Sequence, residues 1–215
     1  MDGNEIEALE REALAALETF REKLTAYRKG ARKPPTFLRD HIAPVMRDDA
    51  FAECRVFSNR FRMMSELAKG KIGAEIGVQE GNFSRFMLDK LDLDTLHLFD
   101  MTKKALRQDV EDDPRTLFHK GDSSGNLATL PDAHFDWIYI DGDHRYAGAR
   151  KDAIVALDKC KPGGMLFFND YTPWSTGEAM PYGVIPVVNE LVNSGLDMMA
   201  VALTRNGYFD VALRR

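Results

Sequence analysis

Only two cysteines, Cys54 and Cys160, occur in the 215 residues, and each stands alone. The paired spacings of structural zinc sites and redox motifs are missing, so a disulfide framework and a cysteine metal site are excluded. Both thiols are expected to be buried in a reducing cytoplasm. Long apolar runs are also missing: none approaches the roughly 18 residues that a membrane span needs. The acidic opening MDGNEIEALERE lacks the basic and then apolar layout of a signal peptide. Neither membrane insertion nor secretion is expected, and the location read from the sequence is cytoplasmic. Positive charge is not in excess, because 29 Lys and Arg face 34 Asp and Glu for a net charge of −5. That balance argues against a nucleic-acid partner. The basic stretch REKLTAYRKGARK, Arg21 to Lys33, reads as a solvated helix end. What is present is ordinary apolar content, 44%, in a chain of one domain's length. Area scaling lets such a chain bury about 70% of its surface, so a core forms without covalent staples.

Apolar residues in the N-terminal part recur three or four apart: Ile6, Leu9, Ala13, Leu17, Phe20, Leu24 and Tyr27. This spacing places them on one stripe of a helix from Asn4 to about Tyr27. The stripe has two uses, packing on its own domain or pairing with a second subunit in a homodimer. Gly30 and Pro34-Pro35 break this helix, and a second is expected from about Ala50 to Leu67 before the turn at Lys69-Gly70. Residues 1–68 therefore read as a helical extension contributing lid, substrate or dimer contacts, and residues 69–215 as the main domain. Beyond Gly70, short apolar runs alternate with helical segments, the pattern of a parallel sheet covered on both faces. Strands are expected near Lys71–Gly77, Thr95–Asp100, Thr116–His119, Phe135–Asp141, Gly164–Asn169, Met198–Leu203 and Tyr208–Leu213. Helices are expected near Asn82–Lys90, Thr102–Glu111, Arg145–Asp158 and Val184–Asn193. The Asn206-Gly207 pair signals a hairpin between the last two strands. The fold class is thus α/β, a Rossmann-like, doubly wound, seven-stranded sheet with an antiparallel final strand. Ligands of such sheets sit beyond the carboxyl ends of the strands.

Chemistry-bearing residues collect at those ends. The first strand runs into Glu75-Ile-Gly77-Val-Gln-Glu-Gly81, where glycines let a ligand approach the backbone and a helix N-terminus follows. The same residues would also make a tight turn without a ligand. Asp100 ends the second strand, placed either to accept from a ribose diol or to cap the next helix. Asp122 and Ser123 follow the third, as adenine contacts or as a helix cap. The fourth ends in Asp141-Gly-Asp143-His144, and the fifth in Asn169-Asp170-Tyr171.

Taken in order, Glu75-x-Gly77-x-x-x-Gly81, Asp100, Gly121-Asp122-Ser123, Ile140-Asp141-Gly142-Asp143-His144-x-Tyr146, Asp152 and Pro162-Gly163-Gly164 through Asn169-Asp170-Tyr171 resemble the class I S-adenosylmethionine-dependent methyltransferases. The branch they most resemble holds the macrocin-type sugar O-methyltransferases. The resemblance covers about residues 71–214. It implies S-adenosyl-L-methionine as cofactor, held by Glu75, Gly77, Gly81, Asp100, Met101, Asp122, Ser123 and Asp141. His144, with Asp141, is the candidate catalytic pair: three residues past the strand end, an imidazole of ordinary pKa about 6.5 suits taking the proton of an acceptor hydroxyl, although the catechol-type methyltransferases carry a lysine there. The alternative for His144 is a helix cap or a structural bond to a carboxylate. The all-oxygen set Asp141, Asn169 and Asp170 suits Mg²⁺ if a metal activates the hydroxyl. In the macrocin-like enzymes this pattern is Asp and later Asp-Asp, whereas here the pair reads Asn169-Asp170, which could also bond substrate or tie down the next loop. Thr172 to Gly183, with Trp174, Met180 and Tyr182, reads as a lid over a small polar acceptor or as a surface connection. The expected activity is O-methylation of a sugar or similar metabolite. The alternatives are a nicotinamide-dependent oxidoreductase on a similar sheet and a non-catalytic cofactor-binding or assembly protein. G-x-x-x-G in place of G-x-G-x-x-G speaks against the oxidoreductase.

Overall fold

The computed structural model describes residues 2–31, 38–39, 41–204 and 207–215. The chain divides into two compact units, residues 1–38 and 39–215. The first unit is built on helix α1 (Gly3–Gly30), whose N-cap Asp2 and Glu5 form a reciprocal capping box. None of its residues is buried.

The second unit starts well before residue 69, which corrects the expected boundary. Where one helix was expected from Ala50 to Leu67, a 3-10 turn (Asp48–Phe51) leads to strand β1 (Arg55–Phe57) and a shorter helix α2 (Arg60–Leu67). β1 pairs in parallel with β9 (Asp197–Ala202), so the sheet has eight strands and not seven. Three residues are too few to show a period of two, and the apolar spacing of α2 masks them. The α2 side chains of Met63 and Met64 are fully buried, so this segment belongs to the core.

The rest follows the alternating pattern: β2 (Ile72–Ile76), α3 (Asn82–Lys90), β3 (Thr95–Asp100), α4 (Gln108–Glu111), β4 (Thr116–Lys120), α5 (Ser123–Ala128), β5 (Phe135–Ile140), α6 (Tyr146–Lys159) and β6 (Cys160–Tyr171). A small two-stranded sheet, β7 (Trp174–Ser175) with β8 (Met180–Pro181), precedes α7 (Val184–Asn193), β9 and β10 (Phe209–Arg214). The strand order is β1-β9-β10-β6-β5-β2-β3-β4, with β10 antiparallel to both neighbours. Arg205 and Asn206 of the expected hairpin lie outside the described residues. Three further expectations need correction. The helix expected over Thr102–Glu111 is only the single turn of α4, because the preceding loop is pinned where Arg107 N donates to Glu80 O at 3.1 Å. α5 was not expected at all. β6 begins at Cys160, ahead of the expected Gly164.

Side chains alternate along the strands, as a two-sided sheet demands. Ile138 and Ile140 face the layer of α6 and α7, while Trp137 and Tyr139 face that of α2 and α3. Of the two cysteines, Cys160 is buried and Cys54 only half-buried. Among the described residues no helix is long and apolar enough to cross a membrane. The order in which successive strands are added reverses between the parallel strands β2 and β5, where Ile76 lies beside Ile140. This switch point opens the crevice in which the site residues meet.

Candidate active site

Gly77 leaves β2 with φ +83°, and a Cβ there would lie 1.9 Å from Asp141 O. No other residue lets β2 and β5 end so close together, and Asp141 N donates to Ile76 O at 2.7 Å across the gap. The following turn is held by Asp100 at the end of β3. Its Oδ2 accepts from Val78 N at 2.9 Å and Gln79 N at 3.0 Å, and its Oδ1 from Thr102 N at 3.1 Å. Three of about four carboxylate acceptor positions are thus taken, leaving one for a ligand. Gly81 caps α3 in the left-handed region. Glu75 does not present an open carboxylate: it is 1% exposed and accepts from Ser84 Oγ beneath the turn. Burial pushes its pKa up to about 8.

A cavity of about 450 Å³ follows the strand ends and is lined by Gly77, Gln79, Asp100, Met101, Asp122, Ser123, Asp141, Asp143, Lys151 and Asp152, among others. Asp122 caps α5 by accepting from Gly125 N at 2.8 Å and pairs with Lys151 Nζ at 2.9 Å. The Lys151 hydrogen bond lowers the Asp122 pKa. A second cavity of about 210 Å³ adjoins the first, sharing Gly77, Gln79 and Asp141, and is further lined by Arg60, Glu75 and Glu80. Its cation was not anticipated from the sequence. Arg60 opens α2, where Asn59 caps the helix by accepting from Arg62 N at 2.9 Å. Its guanidinium lies over the Phe83 ring at 4.3 Å, bonds Tyr139 Oη at 3.2 Å and sits 3.9 Å from Asp141 Oδ2. Nothing local to the sequence said that α2 packs on the β2 end.

Beside this junction lies His144. Its Nε2 is 3.5 Å from Asp141 Oδ1 and 3.7 Å from Asp170 Oδ2. The atom is buried and has no hydrogen-bond partner among the described residues. Burial alone would lower the His144 pKa, but the neighbouring Asp141 and Asp170 carboxylates outweigh it and the net shift is upward. Burial pushes Asp170 up to about 6. Tyr182 stacks on the imidazole with ring centroids 4.5 Å apart. The chain from Trp174 to Tyr182 is therefore a folded hairpin over His144, anchored where Gly183 N donates to His144 O at 2.7 Å. A Cβ at Gly183 would meet Tyr146 Cα at 2.2 Å, so that anchor requires glycine.

The expected metal residues Asp141, Asn169 and Asp170 close on the His144 imidazole. Asn169 is already engaged: its Nδ2 donates to Tyr139 Oη at 3.2 Å and Asp210 Oδ1 at 3.4 Å, and its side chain also bonds His144. Asp141 and Asp170 flank an imidazole instead of facing a shared open position. Among the described residues no group of three or more His, Cys, Asp or Glu is arranged to hold a metal ion. Closed on the imidazole, these side chains do not fit Mg²⁺.

With the crevice defined, comparison becomes informative. A family model described as a methyltransferase domain matches residues 74–171. Over those residues the chain is similar to that family. That span holds the Gly77 turn, Asp100, Asp122, Asp141, His144 and Asp170. A search of curated protein sequences found no match. Among solved structures, the O-methyltransferase family protein from Burkholderia thailandensis superposes with a TM-score of 0.55 at 16% identity, covering 72% of this chain and 55% of that one. The N-methyltransferase NodS from Bradyrhizobium japonicum WM9, in complex with S-adenosyl-L-homocysteine, gives 0.53 at 16% identity, covering 73% and 88%. Spermidine synthase from Thermotoga maritima gives 0.52 at 16% identity, covering 73% and 57%. At such identities the likeness is one of fold. Arg60 and Asp210 lie outside the matched span, so the crevice is completed by elements on both sides of it.

Proposed function

We propose that the chain moves the methyl group of S-adenosyl-L-methionine to a hydroxyl oxygen of a small polar acceptor such as a sugar. The observation that carries this reading is the junction of the two cavities at Asp141, beside a buried imidazole held between two carboxylates. The lining also speaks to the cofactor. The larger cavity presents the carboxylates of Asp100, Asp122, Asp141, Asp143 and Asp152 against the one lysine, Lys151. Such a surface favours a cationic sulfonium and repels the pyrophosphate of a dinucleotide. Gly77, with no room for a Cβ, keeps the cavity wall flat for a close-fitting ligand.

Bound S-adenosyl-L-methionine supplies an electrophilic methyl carbon. Toward it, Arg60 is placed to clamp a carboxylate in the smaller cavity. Asp100 offers its remaining acceptor position to a ribose hydroxyl, and Asp122 and Ser123 edge the far end of the larger cavity. His144 Nε2 takes the acceptor proton, and Asp141 and Asp170 stabilise the imidazolium that results. The hairpin carrying Tyr182 covers the imidazole and excludes water from that step. Most of the rate is then a matter of holding two atoms in line. Incubation with labelled S-adenosyl-L-methionine and a panel of sugars, phenols and amines tests the proposal. Label transferred to hydroxyl compounds supports it, and transfer confined to amines contradicts the assigned acceptor.

A further inference from the structure

Along the apolar stripe of α1, Ile6 and Leu9 are each 52% exposed, Leu17 46% and Tyr27 42%. At 3.6 residues per turn the stripe from Ile6 to Tyr27 falls within an arc of about 80°, narrow enough for a helix-to-helix seam. The charges beside it are sorted along the axis. One flank carries Glu7 and Glu10 near the N-terminus, then Arg21 and Arg28. The other carries Glu5 and Glu12, then Lys23. The remaining charges of the helix, Arg11, Glu18, Glu22 and Lys29, point away from the seam. Each flank is therefore acidic in its first half and basic in its second.

We infer that α1 pairs with α1 of a second copy, antiparallel. In that orientation a flank meets its own reverse, so Glu7, Glu10 and Glu12 fall opposite Arg28, Arg21 and Lys23 of the second copy, and the pairs repeat by two-fold symmetry. The same overlap sets Ile6 against Tyr27 and Leu9 against Leu24, with the two Leu17 side chains at the centre. A parallel pair would set glutamate against glutamate in one half and cation against cation in the other. Glu7 is held within its own helix only by a surface contact of 3.8 Å to Arg11, which gives way readily. This inference does not rest on the proposed chemistry.

Sedimentation equilibrium of the full chain tests it. A dimer is expected, and Leu9→Glu with Leu17→Glu should make it monomeric while leaving cofactor binding intact. The variant Arg21→Glu, Lys23→Glu, Arg28→Glu should be monomeric alone. Mixed with Glu7→Lys, Glu10→Lys, Glu12→Lys, it should form a one-to-one dimer. Spin labels at Asn4→Cys, in a Cys54→Ser background, should lie roughly 38 Å apart along the axis, against about 10 Å in a parallel pair. A monomeric wild type, a dimer indifferent to the Leu9 and Leu17 changes, or the short distance overturns the inference.

Discussion

Asp100 shows how one carboxylate serves both fold and ligand. Because it accepts from the N–H groups of Val78, Gln79 and Thr102, Asp100→Ala should do two things at once. It should weaken S-adenosylhomocysteine binding by roughly 1.5–3 kcal/mol, the range for a charged acceptor. It should also lower the melting temperature, since the turn after β2 loses its clamp. Calorimetry and thermal melts separate the two, and an unchanged affinity would remove the ligand role. His144 makes a claim about pH. Its imidazole must be neutral to take a proton, and Asp141 and Asp170 hold its pKa above the ordinary value of 6.5. Turnover should therefore rise with pH through that raised value and then level off. His144→Gln should reduce turnover about 10²- to 10⁴-fold, without the acid limb and without loss of cofactor affinity. A near-normal rate for this variant would leave positioning as the whole of the mechanism.

Among the elements, the hairpin of β7 and β8 is the piece that covers His144. Tyr182→Leu removes a stacked ring, a contact of about 0.5–1.5 kcal/mol. Turnover should fall several-fold while the cofactor dissociation constant stays within about two-fold, measured by steady-state kinetics beside calorimetry; a cofactor affinity that fell in step with turnover would place Tyr182 on the wrong cavity. This segment was legible in the sequence as a loop with aromatics, but its strand pairing was not, since two-residue strands leave no periodic trace. The contrast holds across the fold. α3 and α7 lie where their apolar spacing puts them, because each is long enough to show a period and ends at a turn signal. β1 was missed and α4 was drawn too long for the opposite reason: their conformations come from a distant strand and from a loop pinned to Glu80. At the site, residues that end strands could be read directly, since the carboxyl rim of a doubly wound sheet is fixed by its topology. Arg60 could not be, because it reaches the crevice through packing of α2. The displacement of Asn169 from a ligand role depends on Tyr139 and Asp210, 30 and 41 residues away.

The molecule as a whole holds protons that its unfolded chain would release. Burial pushes Glu75 up to about 8 and Asp210 up to about 7, against unfolded values near 4. A folded carboxyl with a raised pKa costs stability as pH climbs from the unfolded value to the folded one. His144, raised above 6.5, contributes stability that is likewise lost as pH rises through its folded value. His97, held down to about 4 chiefly by burial, works the other way but only below 6.5. From pH 6.5 to 8 the three upward-shifted groups are therefore unopposed by His97, and the melting temperature should fall across that window. Glu75→Gln should flatten the fall; a wild-type profile that is flat or rising there would show that these groups are solvated.

In the proposed function the carboxyl rim of the sheet binds an adenosyl sulfonium, with Arg60 at one end and Asp100 near the other. Isothermal calorimetry with S-adenosylhomocysteine tests it most directly, with NADH as the comparison. The account predicts one saturable site per chain for the first ligand, at least tenfold weaker in Arg60→Ala, and no heat for the second. No binding of S-adenosylhomocysteine to the folded wild type, or equal binding of NADH, would contradict it.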